Sequence, residues 1–158
     1  MRVFTPPTFP SLDGTKSVFL AGSIEMGAAR NWQEEFIKDF ISQTRPLSIE
    51  GEFTILNPRR PDWDSTWKQE IQDANFFQQV TWEMDYLTKA DHRVFYFAKD
   101  TISPISLLEL GIHTMFPNNY VIIEDGYKRR GNVEITCSRF DIPIFKTTHD
   151  LISKIIEV

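Results

Sequence analysis

The stretch RVFYFAKDTISPISLLELGIHTMF, residues 93–116, decides the fold. It opens at 93–98 with a short apolar run rich in aromatic and β-branched residues, the pattern of a strand covered on both faces. Lys99, Asp100 and Thr101 break that run, and Ser103-Pro104 marks a helix start. A serine hydroxyl can accept a hydrogen bond from an orphan amide, and proline suits the first helical position. Apolar residues then recur to about Phe116, predicting a helix to that point. A strand feeding straight into such a helix is half of a βαβ unit, which calls for a parallel sheet with helices packed on its faces.

Working outward, the same alternation continues in both directions. Strands are expected at 17–21, 53–56, 120–123 and 143–145, and helices at 31–40, 75–89 and 148–156, with the stretch after the fourth strand read as a loop through Asn132. The fold class is therefore α/β: a single domain with an open, mainly parallel five-stranded sheet and flanking helices, Rossmann- or flavodoxin-like. Residues 1–16, rich in Pro and Thr, read as an N-terminal extension and 17–158 as the domain. A chain of 158 residues suits one such unit.

Composition excludes several functions. The formal charge of −5 argues against binding a nucleic-acid polymer, whose affinity rests on Lys and Arg neutralising phosphates. Arg59-Arg60 and Lys128-Arg129-Arg130 are each long enough to meet only one small anion. Cys137 is the lone cysteine, which rules out an intrachain disulfide and a cysteine-based zinc site, and His92, His113 and His149 lack metal-ligand spacing. The residues thus offer no evident metal-ligand cluster. The first residues carry neither a signal-peptide core nor a membrane span, so the expectation is a soluble, cytoplasmic protein.

In an open parallel sheet, ligands bind beyond the carboxyl ends of the strands, where helix amino termini aim their free amides. Four segments qualify: 22–27, 57–64, 101–109 and 124–132. Gly22, Ser23 and Ile24 form a short turn able to cradle a sugar or phosphate. Asn57 closes the second strand, and Trp63 stands in the loop beyond it, either stacked on a base or packed on its own domain. Ser103 is read as a helix cap whose hydroxyl also suits a ribose or phosphate oxygen.

Glu109 is a carboxylate in a helix of mostly apolar residues, and Gly111 beside it would allow close approach of a backbone or ligand. Two readings stay open for it: Ser106, Glu109 and His113 form a polar stripe facing water, or the stripe faces a site. In a site, a carboxylate can attack an anomeric carbon opposite a leaving base, forming a glycosyl ester that water or another base resolves. The departing base needs a second acid, and Glu83 and Asp85 are the candidates.

The combination LAGSI (20–24), NPRR with DW (57–63), TWEMDYLTKAD (81–91), SPISLLELG (103–111) and RRGNV (129–133) resembles the nucleoside 2-deoxyribosyltransferase-like superfamily, which includes nucleoside-monophosphate N-glycosidases. The resemblance implies that Glu109 is the nucleophile on C1′ and that Glu83, eight residues before Asp91, holds and protonates the base; the transferases usually have Asp there. Six residues before the nucleophile the transferases carry an Asp that contacts the sugar, whereas this chain has Ser103, as the N-glycosidases do for a 5′-phosphate. Glu25 stands where their glycine loop offers Arg, and Phe19 where transferases have an orienting Tyr. Asn132 resembles an Asn that reaches a neighbouring subunit's site, implying a homo-oligomer, a dimer or larger, acting on a small nucleoside or nucleotide, and the resemblance implies no metal or organic cofactor. Three functions are carried forward: glycosyl transfer, hydrolysis of a nucleoside 5′-monophosphate, and nucleotide binding without turnover.

Overall fold

A computed structural model of the chain describes residues 1–24 and 30–157. It is an α/β protein built on one six-stranded sheet in which every neighbouring pair runs parallel. The strands are β1 (Arg2–Phe4), β2 (Lys16–Gly22), β3 (Phe53–Leu56), β4 (His92–Phe97), β5 (Asn119–Ile123) and β6 (Ile144–Phe145), in the order β1-β3-β2-β4-β5-β6. Five strands were expected; the sixth is β1, which pairs with β3 through Arg2↔Thr54 to Phe4↔Leu56. Its three residues are too few to carry a periodic signal, and two of them are exposed at the sheet edge.

Five helices join the strands: α1 (Trp32–Thr44), α2 (Ala74–Lys89), α3 (Pro104–His113), α4 (Arg130–Arg139) and α5 (Thr148–Ile156). Strands buried on both faces send alternate side chains into two cores. On one face Val18, Leu20, Val94, Tyr96 and Ile122 meet Trp32, Phe36 and Phe40 of α1 and Leu151, Ile152 and Ile155 of α5. On the other, Phe19, Phe95, Phe97 and Val121 meet Trp82, Tyr86 and Leu87 of α2, Leu110 of α3, and Val133 and Cys137 of α4. Helices α2, α3 and α4 therefore share one side of the sheet.

The loop expected through Asn132 stops at Arg129; α4 begins at Arg130 and runs on through a stretch for which no element was predicted, and Asn132 lies exposed in its first turn. Only Val133 and Cys137, one turn apart, are buried in it, so its pattern is too thin to register as amphipathic. Asp73 caps α2, its carboxylate accepting from the amides of Asn75 and Phe76 at 3.1 and 3.0 Å. Residues before β2 clasp the same helix: the Trp82 indole donates to the Thr8 carbonyl at 2.7 Å and the Tyr86 hydroxyl to that of Pro10 at 2.9 Å.

Candidate active site at the carboxyl edge of the sheet

The sheet order reverses between β2 and β4, so the crevice beyond their carboxyl ends is where this architecture places ligands. Gly22 ends β2 at φ 152°, and a side chain there would collide with the Tyr96 backbone and with the Trp32 ring at 2.8 Å. Only glycine lets β2 run this close beside β4. The next residue, Ser23, is 1% exposed, and its amide donates to the Tyr96 carbonyl at 3.0 Å. Ile24 is half-buried, while Glu25, Met26 and Gly27 of the expected glycine loop lie outside the described residues.

Ser23 and Ser103, eighty residues apart, share a hydrogen bond between their hydroxyls. Thr101 completes the group, 3.0 Å from Ser23 and 2.8 Å from Ser103, and the Ala98 amide donates to the Ser23 hydroxyl at 3.0 Å. Ser103 does not cap α3 as expected: at φ 50° it is left-handed, which turns its hydroxyl from the helix amides toward Ser23. Thr101 was not singled out from the sequence, where a threonine in a loop carries no distinguishing pattern.

Helix α3 presents its polar stripe inward. Ser106 and His113 are each 4% exposed and Glu109 is half-buried between them, whereas Ile105, Leu108 and Ile112 are more than half exposed. The water-facing reading of that stripe is thereby overturned, and the apolar residues take the outside instead. The His113 ring stands 2.8 Å from the Glu109 carbonyl. Gly111 has nothing within 4 Å of the place a side chain would occupy, so it serves no close approach.

Glu83 projects from α2 on the same side of the sheet and is also half-buried. Gln79, one turn earlier and 4% exposed, donates from Nε2 to Glu83 Oε1 at 2.8 Å and to the Pro58 carbonyl at 2.9 Å. Asn57 shapes the start of that loop, its side-chain oxygen accepting from the Arg59 amide at 3.0 Å. Burial pushes the Glu83 carboxyl up to about 7 against the opposing pull of the Gln79 hydrogen bond. Burial also raises Glu109 well above the ordinary carboxylate range, and the charge of Glu83 raises it further. Glu83 is therefore within electrostatic reach of Glu109 on this side of the sheet. Asp85 is partnered by Lys89 at 3.8 Å on the same helix.

Trp63 packs edge-on against Trp67 with ring centres 5.1 Å apart, and its buried indole nitrogen has no hydrogen-bond partner. Phe19 is fully buried against Trp82, with ring centres at 5.8 Å. Asp91 clamps the amino ends of two strands, accepting from the Ser17 amide and hydroxyl at 2.8 and 2.7 Å, so the aspartate of the TKAD run is structural.

A cavity of about 1460 Å³ opens on the α1 and α5 side of the sheet's carboxyl edge, and neither Glu83 nor Glu109 lines it. Size alone does not locate the reaction. Four of the five acids lining the cavity pair with arginines, Glu35 and Glu124 with Arg30, and Asp125 and Glu134 with Arg130. Glu83 and Glu109 carry the perturbed carboxyls expected of an acid–base pair. Among the described residues no group of three or more His, Cys, Asp or Glu could hold a metal ion, and no helix is long and apolar enough to cross a membrane.

The sequence model of the family described as nucleoside 2-deoxyribosyltransferase like matches residues 15–127. The chain belongs to that family. No curated protein matches it at the threshold applied. The match to the nucleoside 2-deoxyribosyltransferase-like family covers β2 through β5, and with them Gly22, Ser23, Asn57, Glu83, Ser103 and Glu109. Helix α4 with Asn132, and all that follows, lies beyond the matched span.

Proposed function

We propose that the protein cleaves or transfers the N-glycosidic bond of a nucleoside, with Glu109 as nucleophile and Glu83 as acid. What supports this reading is that two half-buried carboxyls, Glu83 on α2 and Glu109 on α3, sit on helices packed against the same face of the sheet, with Gln79 holding Glu83. A Glu109 oxygen bonds to C1′ as the bond from C1′ to the base nitrogen breaks. The bonding pair leaves with the base, which takes the Glu83 proton. A second base or a water then attacks C1′ and returns its proton to Glu83, freeing Glu109.

These roles call for a single proton on the pair, held by Glu83. With Glu83 protonated, its repulsion of Glu109 vanishes and Glu109 ionises more readily, which is the productive arrangement. Trp63, whose buried indole N–H has no partner, would turn it to a base or sugar on binding, and Gly22, Ser23 and Ile24 would border the sugar. The exposed apolar row Ile105, Leu108, Ile112 and Met115 supports a homo-oligomer, in which Asn132 would serve a neighbouring subunit. Residues 17–158 would form the catalytic unit, working in a reducing cytoplasm compatible with the free Cys137.

Hydrolysis of a nucleoside 5′-monophosphate is the second reading, favoured by the hydroxyl cluster of Ser23, Thr101 and Ser103 where a phosphate would lie. Incubation with deoxynucleosides, ribonucleosides and their monophosphates, with labelled adenine as acceptor, tests both. Label in nucleoside supports transfer, and free sugar phosphate supports hydrolysis. Binding with no base released from any of them would reduce the protein to a nucleotide-binding module.

A further inference from the structure

The two ends of the Gln79 amide meet different fates. Its nitrogen donates to the Pro58 carbonyl at 2.9 Å and to Glu83 Oε1 at 2.8 Å, while its own oxygen is buried with no hydrogen-bond partner. The two ends are not interchangeable. A backbone carbonyl only accepts, so turning the amide over would set oxygen against oxygen at Pro58. The orphan acceptor is therefore fixed beside the carboxyl that the nitrogen grips, on a side chain that is 4% exposed.

Leaving a buried acceptor without a donor is costly, and in a folded protein it calls for a reason. The bonds to Pro58 and Glu83 use only the nitrogen, so they do not account for the oxygen. Gln79 and Glu83 stand one turn apart on α2, and a base that meets the Glu83 acid comes within reach of the Gln79 oxygen as well.

We infer that Gln79 selects the base: its side-chain oxygen accepts an N–H from a nucleobase that presents an amino group beside the ring nitrogen meeting Glu83. This rests on the reading of Glu83 as the acid. Glu83 Oε1 already accepts from Gln79, so the acid proton sits on Oε2 and is given to the base. The pair thus offers one donor and one acceptor side by side. Adenine matches it, with N7 as acceptor and the amino group on C6 as donor, whereas a 6-oxopurine sets a second acceptor against the Gln79 oxygen. Protonation of adenine at N7, with the bonding pair departing on N9, releases a neutral base. A site built around a buried hydrogen bond strongly rejects the analogue that cannot make it. Uracil and thymine carry an N–H beside O4 and so do not discriminate; the purine pair does.

The test separates this selection from the reaction it rests on. Adenine and hypoxanthine are titrated by calorimetry into the wild type and into Gln79→Met, which keeps an unbranched side chain and removes the acceptor. Base release from 2′-deoxyadenosine and 2′-deoxyinosine is then timed with both proteins. The wild type should bind adenine at least tenfold more tightly than hypoxanthine. Purine itself, which keeps N7 and lacks the amino group, needs no variant and should also bind at least tenfold more weakly than adenine. In Gln79→Met the preference should disappear, and the ratio of kcat/KM for the two nucleosides should fall at least tenfold, even as loss of the bond to Glu83 slows both. Equal binding of adenine and hypoxanthine by the wild type, binding of neither, or an unchanged ratio in Gln79→Met overturns the role of Gln79, whether or not base is released. An adenine preference that depends on Gln79, with no base released from either nucleoside, supports the selection and overturns the reaction instead.

Discussion

Gln79 holds Glu83 by a hydrogen bond from its side-chain nitrogen to Oε1, 2.8 Å long. The same nitrogen donates to the Pro58 carbonyl, which keeps the amide turned so that a donor faces Glu83. A donor favours the ionised carboxyl, opposing the burial that pushes Glu83 up to about 7. Replacing Gln79 by Leu should therefore raise the Glu83 midpoint by about one pH unit, since a hydrogen bond to a charged group contributes ~1.5 kcal/mol. Carboxyl-carbon NMR titration of Glu83 reads this directly. A change limited to the Pro58 loop would leave the midpoint where it is.

Glu83 also links stability to pH. Its folded midpoint lies above the ordinary value of 4.5, so between about 4.5 and 7 the folded chain holds a proton that the unfolded chain has released. Stability contributed by this group is complete below that window and is lost as pH rises through it. Glu83→Gln removes the loss and should stabilise the protein at pH 8 by about 2 kcal/mol, with little effect at pH 4. Urea melts of both proteins at the two pH values check the sign.

The two carboxylates also mark how far the sequence could be read. Strand β3 falls on residues 53–56 as expected, and β2, β4 and β5 lie within a residue or so of the predicted spans, because runs buried on both faces are apolar without interruption. The direction in which α3 turns its polar stripe was not legible. Helical spacing places Ser106, Glu109 and His113 on one face, but whether that face meets water depends on Ser103, whose left-handed backbone sets how the helix leaves β4. Gln79 was missed although it stands one helical turn before Glu83, because what fixes its amide is Pro58, 21 residues away.

The outward face of α3 and of the turn that follows it bears directly on assembly. Ile105, Leu108, Ile112 and Met115 are each more than half exposed and recur at helical spacing. Leu108→Glu puts a charge in the middle of that row. Light scattering coupled to size exclusion should show the wild type as a dimer or larger and the variant as a monomer.

Gly22 carries a structural prediction of its own. At φ 152° and pressed against the Tyr96 backbone, it has no room for a methyl group. Gly22→Ala should destabilise the fold by about 3 kcal/mol through combined strain and overpacking. Chemical denaturation gives the value, and Gly111→Ala, at an open helical position, serves as the control that should be neutral or mildly stabilising.

The most direct test of the chemistry is to catch the sugar on the protein. After brief incubation with a deoxynucleoside and an acid quench, intact mass and peptide mapping should find one deoxyribosyl group esterified to Glu109, absent from Glu109→Gln. Release of base with the sugar never attached to Glu109, or attached to a different side chain, would contradict the assignment.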